Sequence, residues 1–134
     1  MRALIIHSPE PYVARLAEAV GRGLERKGGQ VEVTSTAAGG ATITVAGYDL
    51  ICVGAAIKGR FGGSVSPEID AALKRCTRLN GKQGAAFVSP KLLGTTRSLR
   101  ALMGLLEHQG VQVRDFEAPS GVDQALRFGE RLAF

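Results

Sequence analysis

The sequence predicts an α/β fold, a doubly wound five-stranded parallel sheet in the strand order 2-1-3-4-5 with helices on both faces. Two observations carry this expectation. Five strand segments, residues 2–7, 30–34, 49–54, 84–89 and 111–116, alternate with helical patterns, the rhythm of successive βαβ units. The strands are also of two kinds. The first, third and fourth are continuous apolar runs (Ala3-Leu4-Ile5-Ile6, Leu50-Ile51-Cys52-Val53 and Ala85-Ala86-Phe87-Val88), as in strands buried on both faces. The second and fifth alternate, Val31/Val33 against Gln30/Glu32 and Val111/Val113 against Gln112/Arg114, as edge strands do. Right-handed crossovers with those two at the edges give 2-1-3-4-5.

The helices follow in order. The first carries Val13, Leu16, Ala17, Val20 and Leu24 at helical spacing. The second is introduced by Ser66-Pro67-Glu68, an N-cap residue, a proline at the first helical position and an acid in the first turn, and buries Ile69, Leu73 and Cys76. The third spans residues 96–108, with Leu99, Leu102, Met103 and Leu106 on one stripe and Gly110 as its stop. A last helix from Val122 carries Leu126, Gly129 and Leu132. Between the second and third strands the crossover helix is missing. Residues 35–47 are small and β-branched around Gly39-Gly40, a loop with a short strand at 42–45. So thin a connection is expected to leave apolar surface near the second strand exposed or paired with a second copy, a homodimer.

A length of 134 residues, 45% of them hydrophobic, fits one domain with a real core, residues 1–134. No run approaches a membrane span and no signal-peptide pattern opens the chain, so a soluble cytoplasmic protein is expected, with no membrane contact. Cys52 and Cys76 lie far from ligand-like spacing and read as reduced packing residues. The excess of 17 basic over 12 acidic residues, net +5, favours anionic partners. Nucleic acid is disfavoured, because the cations are dispersed and only 5% of residues are aromatic.

The turn after the first strand is the most telling. His7-Ser8-Pro9-Glu10-Pro11 stands where α/β chains hold phosphate. It lacks glycine, its two prolines remove N–H donors, and Glu10 puts a negative charge where an anion would dock. Anion-friendly groups follow the later strands instead: Lys58 and Arg60 after the third, Lys91 and Arg97 after the fourth. Gly94-Thr95-Thr96 opens the third helix with flexible backbone, two hydroxyls and a positive dipole end. The bland alternative is that Thr95 or Thr96 is a simple cap and the cations are solvated. His7, at a strand end, is a candidate acid, base or ligand or a loop-bonded polar residue; His108 suits a helix C-terminus. No metal-ligand cluster is present. Receiver domains share the sheet order but need carboxylates after the first strand, an aspartate ending the third and a lysine ending the fifth. The chain has His7-Ser8, Gly54 and Phe116 there.

In Met1 to Val20, in Tyr48-Asp49-Leu50-Ile51-Cys52-Val53-Gly54, in Gly84 to Pro90 and in Phe128-Gly129-Glu130-Arg131-Leu132, the chain resembles the flavodoxin family over nearly its whole length. It looks most like the short flavodoxin-type modules that also occur within larger flavin enzymes. The resemblance implies FMN across the C-terminal strand ends, its phosphate in a T-x-T-G-x-T loop after the first strand and its ring between loops after the third and fourth. Carried over, the phosphate loop is Ser8-Pro9-Glu10-Pro11-Tyr12, with one hydroxyl and none of the family's threonines or glycine. The ring loops are Ala55-Ala56-Ile57-Lys58-Gly59-Arg60-Phe61-Gly62-Gly63, where Phe61 is the one stacking candidate, and Pro90-Lys91-Leu92-Leu93-Gly94-Thr95-Thr96-Arg97, which has no aromatic residue. The cofactor-binding candidates are therefore Ser8, Tyr12, Ala55, Lys58, Arg60, Phe61, Lys91, Gly94, Thr95 and Thr96.

Two readings stay open. One is a flavodoxin-like binding or partner module that has lost tight FMN binding, with a small anionic ligand or a protein as its partner. The other is an FMN-binding electron-transfer protein, or a flavin-dependent reductase component, with an altered phosphate site. No catalytic residue is assigned.

Overall fold

A computed structural model of the chain describes residues 1–38, 40–59 and 61–134. In chain order the elements are β1 (Arg2–His7), α1 (Pro11–Arg26), β2 (Gln30–Ser35), a 3-10 turn (Thr36–Ala38), β3 (Ile43–Thr44), β4 (Leu50–Lys58), β5 (Ser64–Val65), α2 (Glu68–Arg75), β6 (Cys76–Thr77), β7 (Gln83–Ser89), α3 (Thr95–His108), β8 (Gln112–Glu117) and α4 (Val122–Leu132). Five strands pair in parallel in the order β2-β1-β4-β7-β8. This is the predicted 2-1-3-4-5 sheet, with β4, β7 and β8 in third to fifth place.

The period-two alternation of the strands divides the core between two faces. Ala3, Ile5, Leu50, Cys52, Ala85 and Phe87 turn toward α1 and α4. Leu4, Ile6, Ile51, Val53, Ala86 and Val88 turn toward α2 and α3. In α1 the predicted stripe Val13, Leu16, Ala17, Val20 and Leu24 is buried, and Gly28, at φ 90°, turns the chain out of the helix toward β2. In α3 Leu99, Leu102 and Leu106 are buried, while Met103 is half-buried. On the first face α1 and α4 meet through two glycines. A Cβ on Gly23 would overlap the Leu126 carbonyl oxygen and stand 2.8 Å from the Glu130 nitrogen, and a Cβ on Gly129 would overlap the Val20 carbonyl oxygen.

Three expectations need correction. The third strand does not end in a glycine turn at Gly54; β4 runs on to Lys58, and Gly54 lies inside it because the Phe87 ring occupies the space a Cβ would take. The second helix begins at Glu68 with Pro67 at its N-cap and ends at Arg75, so Ser66 does not cap it and Cys76 belongs to β6. The connection at 35–47 is more than a loop. β3 pairs in parallel with β6 (Ile43 with Cys76, Thr44 with Thr77), Val45 is fully buried, and Ile43 and Tyr48 pack on the core of the second face. This small sheet does the covering that a crossover helix would do. Of the large apolar residues of β2, Val33 is the exposed one, at 37%, far less surface than a missing layer would leave.

The segment is fastened by Lys82, whose Nζ donates to the carbonyls of Tyr48 (2.6 Å) and Ala46 (3.2 Å). Replacing Lys82 with methionine should cost about 1 kcal/mol, since charge-assisted bonds are strong but these are partly solvated. Hydrogen exchange should speed up at Tyr48 and Asp49; unchanged exchange there would show that the lysine is not the fastening.

Candidate functional site

In an open α/β sheet a ligand crevice forms outside the carboxyl ends of the strands, beside the point where the strand order reverses. Here that point lies between β1 and β4, and the residues around it are bound to one another. Ser8 is fully buried. Its amide donates to the Gly54 carbonyl (3.0 Å) and its Oγ accepts from the Ala56 amide (3.1 Å), so the one hydroxyl of the first loop ties β1 to β4. His7 is buried as well, and its Nδ1 donates to the Ser8 carbonyl at 2.7 Å, the loop-bonded alternative for this residue.

Glu10 sits at the N-cap of α1 with Pro11 behind it. Its carboxylate does not turn out to solvent. Oε2 accepts from the Ser66 hydroxyl at 3.1 Å and pairs with Lys58 Nζ at 3.0 Å. Oε1 is buried with no partner in hydrogen-bond geometry among the described residues. Burial works against the charge on this carboxyl. The nearby Ser8 hydroxyl, the Lys58 ammonium, the Glu10 amide and the Ser66 hydroxyl outweigh it and hold the group below its ordinary value. A hydroxyl, a cation and a backbone N–H are what a bound phosphate would recruit. At this edge they serve an anion that the chain itself supplies.

The loops after β4 and β7 are locked together. β4 continues into a hairpin, pairing Ile57 with Val65 and Lys58 with Ser64 of β5, and the turn between them is made possible by Gly59, Gly62 and Gly63, all at positive φ. The turn rests on the start of α3. The Arg97 guanidinium donates to the Phe61 carbonyl (2.7 Å), and the Gly63 amide donates to Ser98 Oγ (2.8 Å). Gly94 is the N-cap of α3 at φ 78°, and a Cβ there would overlap the Phe61 carbonyl oxygen.

The predicted site residues thus do not gather into one site. Ser8 and Lys58 converge on Glu10. Phe61 and Gly94 meet where the two loops touch. Thr95 is used locally: its Oγ1 donates to the Lys91 carbonyl (2.8 Å) and accepts from the Lys91 amide (3.0 Å), so neither Thr95 nor Thr96 caps the helix, and the Thr95 hydroxyl is spent on its own turn. Thr96 and Lys91 are exposed. Ala55 is not in a loop at all; it is a fully buried β4 residue in the core of the second face. Arg60 lies outside the described residues. Tyr12 faces elsewhere, into a groove of about 320 Å³ between the starts of α1 and α4, lined also by Arg15, Ser89 and Ser120.

That groove and the role of Ser66 are not apparent from sequence reasoning. Ser66-Pro67-Glu68 has the pattern of a helix start, and nothing local says that the serine turns to a carboxylate 56 residues away. Glycines at 59, 62 and 63 do carry a hairpin-turn signal. Among the described residues no group of three His, Cys, Asp or Glu side chains is placed to hold a metal ion. Both cysteines are free thiols; burial pushes Cys52 far up and Cys76 up to about 11, which disfavours the reactive thiolate in both.

No protein-family model matches the chain, and no curated protein matches it in sequence. Solved structures do. A flavodoxin from the domain Archaea is 19% identical with a TM-score of 0.76, the match covering 99% of this chain and 96% of that one. Oxidised Flavodoxin 1 from Bacillus cereus is 21% identical with a TM-score of 0.73, covering 96% and 95%. The flavodiiron protein from Giardia intestinalis matches at a TM-score of 0.72 and 14% identity, over 98% of this chain but 34% of that larger one. These likenesses cover nearly the whole chain, sheet and helices together: the chain has the flavodoxin-like fold.

Proposed function

We propose that this chain is a flavodoxin-like binding module that does not hold FMN tightly, and that it engages a small anionic ligand or a protein partner through the C-terminal edge of its sheet. The observation that carries this reading is the Glu10 carboxylate, bonded to Ser66 and Lys58 beside Ser8, in the part of the first loop where the resemblance puts the FMN phosphate. An incoming dianion would have to displace that carboxylate and would meet its charge if it failed. A second observation agrees: the Phe61 carbonyl and Gly62 stand against Gly94, so the two loops expected to flank the flavin ring touch backbone to backbone. The groove beside Tyr12 and Arg15 offers an anionic ligand an alternative, with a cation and hydroxyls not committed to Glu10.

The competing reading, an FMN-dependent electron carrier or reductase component, is supported by Phe61, which is 61% exposed in the turn of the hairpin, and by the FMN that the family resemblance implies. Titrating FMN into the protein and following quenching of flavin fluorescence separates the two. A dissociation constant weaker than about 1 µM, some 8 kcal/mol or less of binding free energy, is expected, with colourless protein on purification. Yellow protein or sub-micromolar binding would establish the flavin reading instead.

A further inference from the structure

The greatest departure from an ordinary protein surface is at the joined loops. Leu92 is 98% exposed, Phe61 61% and Leu93 53%, and all three stand on segments that hold each other through Arg97, Gly63 and Gly94. Their exposure is therefore built in: the Thr95 hydroxyl clamps the 91–95 turn, and the hairpin ladder fixes the other side. On the two segments that carry these apolar tips the charge has one sign. The stretches 58–64 and 90–100 contain no Asp or Glu, while Lys91, Arg97 and Arg100 are all exposed. Among the described residues of these stretches, Lys58 pairs with an acidic side chain, Glu10.

We infer that this tip is a docking surface for an anionic lipid bilayer, with Leu92, Leu93 and Phe61 entering the interface and Lys91, Arg97 and Arg100 lying among the headgroups. Aliphatic and aromatic side chains projecting beyond a ring of cations are what peripheral attachment to such a surface requires. Shape decides between lipid and protein. Leu92 has almost no protein around it, so a protein partner would have to supply the whole recess for a convex tip, whereas a bilayer interface accommodates any convex shape. A second copy of the chain is disfavoured, because two such tips would bring like charges together. This departs from the expectation of no membrane contact, which rested on the lack of a spanning run; attachment of this kind needs none, and among the described residues no helix is long and apolar enough to cross a membrane. The inference rests on the reading proposed above, that Phe61 is not stacked on a flavin; FMN titration tests that reading and vesicle binding tests this one.

The test is cosedimentation of the full chain with phosphatidylcholine vesicles, with and without phosphatidylserine. Binding to the serine-containing vesicles alone, weakened by added salt, is expected. Leu92→Ser/Leu93→Ser should weaken it at least about tenfold, through the loss of inserted apolar area. Lys91→Gln/Arg100→Gln should weaken it about 25-fold, each surface cation contributing about fivefold. Circular dichroism should be unchanged in both, since none of the four side chains packs in the core. Arg26→Glu, at the far end of α1, should leave binding as it was. No binding to serine-containing vesicles overturns the inference. So does binding that survives the leucine pair, or that Arg26→Glu weakens as much, or that soluble glycerophosphoserine abolishes, which would mean a headgroup pocket. Retention on a polyglutamate matrix without vesicle binding assigns the tip to an acidic protein instead.

Discussion

Alanine at Gly129 should destabilise the protein by about 3 kcal/mol, although it adds a single methyl group to a helix and alanine is the better helix former. The methyl has nowhere to go. Its Cβ would overlap the Val20 carbonyl oxygen and stand 3.1 Å from the Gly23 Cα, and backbone cannot rotate aside as a side chain can. α4 must lift from α1, loosening Phe128 and Leu132, both fully buried between the helices and the sheet. For a chain of this size that loss should lower the melting temperature by about 10 °C. Gly23→Ala should behave alike, and the double variant should cost less than the two losses added, because helices already separated do not clash twice. The same substitution at Gly104 should act with the opposite sign. Gly104 lies in α3, exposed, with nothing within 4 Å of an added Cβ, so alanine there should stabilise by about 0.5–1 kcal/mol. Thermal denaturation of the three single variants checks all of this; equal effects at Gly129 and Gly104 would mean that helix propensity alone is at work.

The sheet was legible in the sequence because burial on both faces writes itself as unbroken apolar runs, and β1, β4 and β7 each carry one. The helices were legible through their stripes and stops. What sequence could not convey is where polar side chains go once the strands are side by side. Ser8 and Ser66 each have a local role in the pattern, loop hydroxyl and helix cap, and each takes a long-range one instead, bonding across to β4 and to Glu10. Alanine and glycine are ambiguous in the same way: Ala55 and Gly54 read as the start of a loop, but the strand continues through both, the Phe87 ring taking the space of a Gly54 Cβ and Ala55 being buried on the opposite face. The crossover at 35–47 failed for a related reason. A two-residue strand such as β3 has almost no periodicity to detect, and its pairing with β6 is a contact between segments 33 positions apart.

Glu10→Gln should separate the charge of the first loop from its shape. The folded-state value of this carboxyl is depressed below its ordinary 4.5, so its ionised form adds stability that is present above the unfolded value and is lost as pH falls through the folded one. Glutamine removes that contribution. The variant should be less stable than the parent at neutral pH, by about 1 kcal/mol given that Lys58 is half-exposed, and the two should converge in acid, where the parent has lost the same interaction. Toward FMN the variant should bind about tenfold more tightly than the parent, because the repulsion is gone while the hydroxyls and Lys58 remain. Pro9 and Pro11 still withhold two N–H donors, each worth about 1.5–3 kcal/mol to a phosphate. Replacing Pro9-Glu10-Pro11-Tyr12 with a glycine- and threonine-rich loop one residue longer should therefore gain about a further two to four powers of ten, measured by the same fluorescence titration. If Glu10→Gln alone gains as much as the rebuilt loop, charge is the whole barrier and the prolines are incidental. If neither variant improves on the parent, the obstacle is the contact of Phe61 and Gly62 with Gly94, and the flavin ring, not its phosphate, is what this edge excludes.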